Sequence, residues 1–270
     1  MASSFICILT HGTDARFVYL SPTFDQVIGH AGLELIGNSV ALLTPNYETV
    51  APILDCLMEL QTYGTIIYNN VKTRSGFVTL ETVFFCCEGL YVTTNRTISS
   101  GDFVRSNLLE STCMAENIVM IDNKEVRVRG CPEVLHTKEE IFKALSQSTP
   151  SYPPKSPRVC LILDRFSEFL PIMYATESSE QVLGFKPSQL IGTSFYSYVD
   201  PDELYEVQEE MMDMKIGQFR TLTSLFEFTF VSPNGSFDVK AGLCFSSDGI
   251  VAVLSPINPF EFFEPGFPLI

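Results

Sequence analysis

Tryptophan is absent from the 270 residues, and histidine occurs three times, at His11, His30 and His136. Basic residues are scarce: 17 Lys and Arg stand against 32 Asp and Glu, a formal net charge of −15. Phosphate repels a chain of that sign, and no basic helix precedes the first half, so no direct contact with nucleic acid is expected. No apolar run approaches the roughly 20 residues that a membrane-crossing helix requires, and no membrane role is expected. The opening MASSFICILTHG lacks a basic leading region and reads as a strand, not an export signal. The sequons at Asn95 and Asn234 are then chance matches, and the expected location is intracellular, cytoplasmic or nuclear. HExxH, GxSxG, the P-loop and a strand-linked GxGxxG are all missing, which argues against an enzyme.

Eight cysteines lie at irregular spacing without a CxxC pair, the pattern of reduced thiols; neither a disulfide framework nor a metal site is expected. Cys86 and Cys87 are adjacent. On a strand their side chains point to opposite faces, so one is expected in the core and the other at the surface.

What is present is a duplication. Phe17–Glu48 reads FVYLSPTFDQVIGHAGLELIGNSVALLTPNYE, and Ile172–Glu203 reads IMYATESSEQVLGFKPSQLIGTSFYSYVDPDE. With Gly29 set on Gly184, 155 residues apart, Tyr19, Gln26-Val27, Leu35-Ile36-Gly37, Ser39 and Glu48 all find identical partners without a gap. Two copies at so long a period mean paired domains, not a solenoid. Thr23-x-x-Gln26 and Ser178-x-x-Gln181 have the spacing of a capping box, so each copy is expected to start a short helix there. Gly29 and Gly184 suit a left-handed helix end, and a second glycine eight residues on closes a second short helix. Longer helices are expected over 46–61 and 202–215. Each copy then runs into three strands separated by turns at Ser75-Gly76 and Glu88-Gly89, or Pro233-Asn234-Gly235 and Asp248-Gly249, an antiparallel meander.

Strand, strand, short helices, longer helix and three strands is the order of a PAS domain. The chain resembles that family in YLSPTFDQVIGH, in the repeated LIG and in FTFVSPNGSFDVKAGLCFSSDG. The resemblance covers residues 5–98 and 158–257. It implies an α+β fold of two PAS domains, each a five-stranded antiparallel sheet with short helices on one face, over 1–100 and 158–257. Residues 101–157 are read as a connector, with a strand pair turning at Asp122-Asn123, a helix over 137–146 opened by Thr137-x-x-Glu140, and a Ser/Pro-rich linker. An insertion within the first domain is the alternative for 103–130. The aromatic tail, 258–270, is expected to dock on the second sheet or on a neighbouring chain.

The resemblance also frames the chemistry. In the light-oxygen-voltage subgroup a reactive cysteine follows the repeated glycine by three residues; Val40 and Phe195 stand there, which argues against a flavin adduct. Oxygen-sensing members hold haem through a histidine on the long helix, and neither long helix contains one. No cofactor is therefore expected. A cavity for an unidentified small molecule would be lined by Ile8, Val27, Val40 and Leu57 in the first copy, or by Leu163, Val182, Phe195, Met211 and Phe228 in the second. The bulk of Phe195, Tyr198, Phe226 and Phe228 suggests that the second is filled. By resemblance to basic helix-loop-helix PAS, Period and white-collar regulators, the expected role is a non-enzymatic module. It would dimerise with itself or another PAS protein through sheet faces and flanking helices, in a transcriptional or environmental-response complex. A small-molecule sensor is the competing expectation.

Overall fold

The computed structural model describes residues 3–60, 63–98, 117–122, 125–148, 157–216 and 223–257. Most of the Ser/Pro-rich linker, the turn at Asn123 and the aromatic tail lie outside the described residues.

The first unit runs β1 (Ser4–Thr10), β2 (Phe17–Leu20), α1 (Thr23–Ile28), α2 (Gly32–Leu35), a 3-10 turn (Val40–Leu42), α3 (Tyr47–Leu60), β3 (Tyr63–Thr73), β4 (Gly76–Cys87) and β5 (Leu90–Ile98). Between the units come β6 (Asn117–Asp122), β7 (Glu125–Val128) and α4 (Lys138–Ser148). The second unit repeats the order: β8 (Val159–Leu163), β9 (Ile172–Ala175), α5 (Ser179–Leu183), α6 (Pro187–Leu190), a 3-10 turn (Phe195–Tyr198), α7 (Leu204–Ile216), β10 (Thr223–Ser232), β11 (Gly235–Phe245) and β12 (Ile250–Pro256). Gly29 and Gly184 end α1 and α5 at φ 77° and 78°, the left-handed conformation the duplicated glycines anticipate.

The second sheet has five strands in the order β10-β11-β12-β8-β9. The first has seven, β2-β1-β5-β4-β3-β6-β7, which corrects the expectation of five. β6 lies parallel to β3 and β7 returns antiparallel to β6. The edge of β3 would otherwise leave a row of unpaired backbone groups, and β6 covers it. Alternation divides β6 between two cores, with Ile118 on one face and Val119 and Ile121 on the other. The segment read as a connector thus extends the first sheet. α4 then packs its Ile141, Ala144 and Leu145 into the helix-side core. Glu140 opens that helix as anticipated: its carboxylate accepts the backbone N–H of His136 and Thr137, and Thr137 Oγ1 accepts the Glu140 N–H.

The two sheets pack on each other. Ile6, Ile8, Val83, Phe85, Cys87 and Val92 of the first form one buried cluster with Cys160, Ile162, Cys244, Val251 and Val253 of the second. The molecule is therefore layered helices, sheet, sheet, helices. This corrects the reading of the adjacent cysteines. Cys86 lies in the helix-side core and Cys87 between the sheets, both buried, because the face opposite the helices meets a second sheet and not solvent.

The contact between units is approximately two-fold. Asp248, in the β11–β12 turn, accepts hydrogen bonds from Ser21 Oγ, from the Thr23 backbone N–H at 3.0 Å and from Thr23 Oγ1 at 2.6 Å. Glu88, in the equivalent β4–β5 turn, is hydrogen-bonded to Ser178 at the start of α5. The expected capping boxes at Thr23 and Ser178 do not form, since neither helix has a side-chain cap of its own. The start of each helix is met instead by an acidic turn of the opposite unit, which suits the positive helix end.

Candidate functional site

A cavity of about 80 Å³ lies between the first sheet and its helices. Phe24 and Ile28 of α1, Val40, Leu43 and Thr44 after it, and Tyr47, Val50 and Leu54 of α3 form the helix side. Phe5, Cys7 and Leu9 of β1, Ile67, Asn69 and Val71 of β3, Leu80, Thr82 and Phe84 of β4, and Thr93 and Asn95 of β5 form the sheet side. The space suits a compact molecule and falls short of the roughly 300 Å³ usual for a drug-sized ligand.

The sheet wall carries a chain of polar groups. Thr82 Oγ1 donates to Asn95 Oδ1 at 2.9 Å, Asn95 Nδ2 donates to Thr93 Oγ1 at 3.0 Å, and Thr93 Oγ1 donates to the Cys7 carbonyl at 3.0 Å. These three side chains satisfy one another. Asn69 does not join them: it is 8% exposed, and its side-chain oxygen has no partner among the described residues. No lining side chain is a carboxylate, amine, guanidinium or imidazole. Burial pushes the Cys7 thiol far above its ordinary value, so it stays neutral.

The duplication supplies an internal reference. Gly76 and Gly235 close equivalent hairpins, and counting back from them sets Asn69, opposite Leu80, on Phe228, opposite Val239. Continuing across the ladders, Thr82 corresponds to Ala241, Asn95 to Leu254 and Thr93 to Ala252. Four polar positions of the first unit are thus apolar in the second. There the space is taken by rings: Phe195 meets Phe228 at 5.8 Å, Tyr198 stacks on Phe230 at 5.6 Å and Phe185 meets Tyr198 at 5.0 Å.

Among the residues expected to line the first cavity, Val40 does so. Leu57 is buried in the same core outside the lining, and Val27 packs partly buried against that core. Ile8 is buried on the other face, between the sheets. The reason is a one-residue difference in the β1–β2 loop. Ile8 pairs with Tyr19 and Ile162 with Tyr174, so the first strands match at an offset of 154, not 155, and a shift of one residue reverses the face. In the second unit Leu163, Val182, Phe195, Met211 and Phe228 all enter the helix-side core. Asn69, Thr82, Thr93 and Asn95 escaped the sequence reading, although asparagine is unusual within strands and the hairpin glycines supply the register.

His11 and His136 are exposed and His30 half-buried. Among the described residues no three His, Cys, Asp or Glu side chains gather as metal donors. No described helix is long and apolar enough to cross a membrane.

The architecture is consistent with two PAS-like domains. No family model matches the sequence, and no curated protein matches it. Among solved structures, the chain is similar to the PAS domain of the Cronobacter turicensis RpfR quorum-sensing receptor in complex with BDSF, at 18% identity and a TM-score of 0.32. That match covers 39% of this chain and 99% of that one. It is also similar to the Stigmatella aurantiaca phytochrome photosensory core module, at 17% identity and a TM-score of 0.32, covering 37% of this chain and 18% of that one. Likenesses at this level carry no information about ligand or partner.

Proposed function

We propose that this chain is a non-enzymatic signalling module in which the first unit takes up a small molecule and the second is a solid scaffold clamped to it. The observation that supports this reading is the contrast between duplicated positions: a polar-walled cavity beside Val40 in one unit, ring-filled space beside Phe195 in the other. A structural duplicate with no ligand to hold has no need of four polar side chains on its inner sheet face, where each must be satisfied at a cost in design freedom. Output passes to a partner, another PAS protein or a second copy, in a transcriptional or environmental-response complex. That contact uses surfaces other than the two sheet faces that bury each other within the chain, and neither nucleic acid nor membrane is engaged directly.

Native mass spectrometry of the full chain tests this reading. The expected result is excess mass that is lost on denaturation and missing from a Val40→Phe variant, which reproduces the second unit's residue. Protein that stays bare after exposure to cell extract, with wild type and variant identical, would overturn it.

A further inference from the structure

Building on the proposed small-molecule role, we infer that the first-unit cavity takes a single uncharged planar aromatic ring, which occupies the place that side-chain rings occupy in the second unit.

Two features of the lining carry this. The first is its aromatic share: Phe5 of β1, Phe17 of β2, Phe24 of α1, Tyr47 of α3 and Phe84 of β4 all border the space. Phe24 meets Phe5 at 5.2 Å and Phe17 at 6.3 Å between ring centroids, both in T-shaped contacts, an arrangement that aromatic rings prefer. A further ring entering this cluster finds partners of its own kind, and such contacts ask no hydrogen-bonding group of the ligand.

The second feature is a set of substitutions between the units. Val40, Leu43, Asn69 and Val71 also line the cavity, and each has a ring at the equivalent position of the second unit. The 155-residue offset sets Val40 on Phe195 and Leu43 on Tyr198, while hairpin register sets Asn69 on Phe228 and Val71 on Phe230. Those four rings are buried and pack on one another: Phe195 meets Phe228 at 5.8 Å, and Tyr198 stacks on Phe230 at 5.6 Å with the planes 4° apart. The duplicated fold thus accepts aromatic rings at this depth between sheet and helices. Where the first unit's own side chains do not supply them, a cavity lies.

Size and charge narrow the class. The volume of about 80 Å³ is below the roughly 150 Å³ of an apolar cavity that accommodates benzene, which limits the guest to one small ring. No lining side chain is a counter-ion, and an unpaired charge in such surroundings is expelled.

Thiophene and tetrahydrothiophene are five-membered sulfur rings that differ in planarity and aromaticity, and imidazolium is a planar ring that carries a charge. Ligand-observed NMR on the full chain would titrate all three against wild type, Val40→Phe and Val71→Phe. Thiophene is expected to bind wild type about tenfold more tightly than tetrahydrothiophene. Imidazolium, at about pH 5.5, should not bind. Val40→Phe and Val71→Phe each return a ring of the second unit, from the 3-10 turn and from β3, and each should block both neutral rings. Thermal melts would show that the variants are folded, and either one suffices if the other is not. Equal binding of the two neutral rings to wild type, lost in the variants, overturns the aromatic assignment and leaves the ligand-binding role standing. Imidazolium binding overturns the argument from charge. If neither neutral ring binds wild type, or if both folded variants bind thiophene as wild type does, the assignment falls. The small-molecule role falls with it only if native mass spectrometry also finds the chain bare.

Discussion

The Asp248 carboxylate of the second unit holds Thr23 of the first twice, at the backbone N–H (3.0 Å) and at the side-chain hydroxyl (2.6 Å). Thr23 begins α1, and α1 carries Phe24 and Ile28 into the cavity wall. One turn of the second unit therefore fixes one wall of the cavity. Asp248→Ala should cost about 2–3 kcal/mol, because it strands the Thr23 donors and the Ser21 hydroxyl that also bonds to it. Urea unfolding at neutral pH measures this, and an unchanged midpoint would mean that the contact contributes nothing.

The shared core between the sheets couples the two units thermodynamically. Val83 and Phe85 on one side and Val251 and Val253 on the other lose their cover if either unit unfolds alone. Calorimetry of the whole chain should record a single cooperative transition, whereas two well-separated transitions would contradict the coupling.

Phe195 and Val40 predict opposite tolerances. Phe195 is fully buried among rings, so Phe195→Ala should cost about 3–5 kcal/mol through lost burial and the void left behind. Val40 is half-buried beside existing space, and Val40→Ala should cost less than about 1.5 kcal/mol. Similar losses at both positions would refute the contrast between the units.

Glu81 is a buried carboxylate that meets Arg96 at 2.8 Å and accepts the Tyr68 hydroxyl at 2.7 Å. Removing its cationic partner leaves the charge buried and unpaired. Arg96→Met should therefore lower stability by about 3–5 kcal/mol, with the double variant carrying Glu81→Leu recovering much of it. A single variant as stable as wild type would show that the pair is unimportant.

Alkaline pH should destabilise the fold through its buried thiols. Burial pushes Cys87 from 9.0 up to about 12 and raises Cys7 further. Both thiols are protonated in the folded and unfolded chain below pH 9, where they add no pH dependence. Above pH 9 the unfolded chain releases protons that the folded one retains, so stability falls as pH rises, by about 1.4 kcal/mol per thiol per pH unit. Unfolding midpoints at pH 8, 9 and 10 should decline, and less steeply in Cys87→Ala; a midpoint that rises with pH would invert the argument.

The sequence by itself determined the duplication and the order of elements in each copy. Glycines such as Gly29 and Gly184 must stand where the backbone turns left-handed, and the strands are apolar enough to be recognised. It also pointed to a ring-rich interior in the second unit, because the bulk of Phe195, Tyr198 and Phe228 is written in their side chains, and these rings are buried in its helix-side core. The tertiary structure decided what the other sheet face meets, since an apolar face looks the same in sequence whether another chain or another part of this one covers it. That is why one of Cys86 and Cys87 is expected at the surface from sequence, whereas both are buried, Cys87 between the sheets. Strand register was likewise decided in three dimensions. A one-residue difference in the β1–β2 loop moved Ile8 off the cavity face, and pairing across the hairpins set Asn69 on the position of Phe228. Period-two alternation converts a single residue of offset into the opposite side of a sheet, so hydrogen-bonded partners, and not the pattern alone, fix which side chains share a cavity.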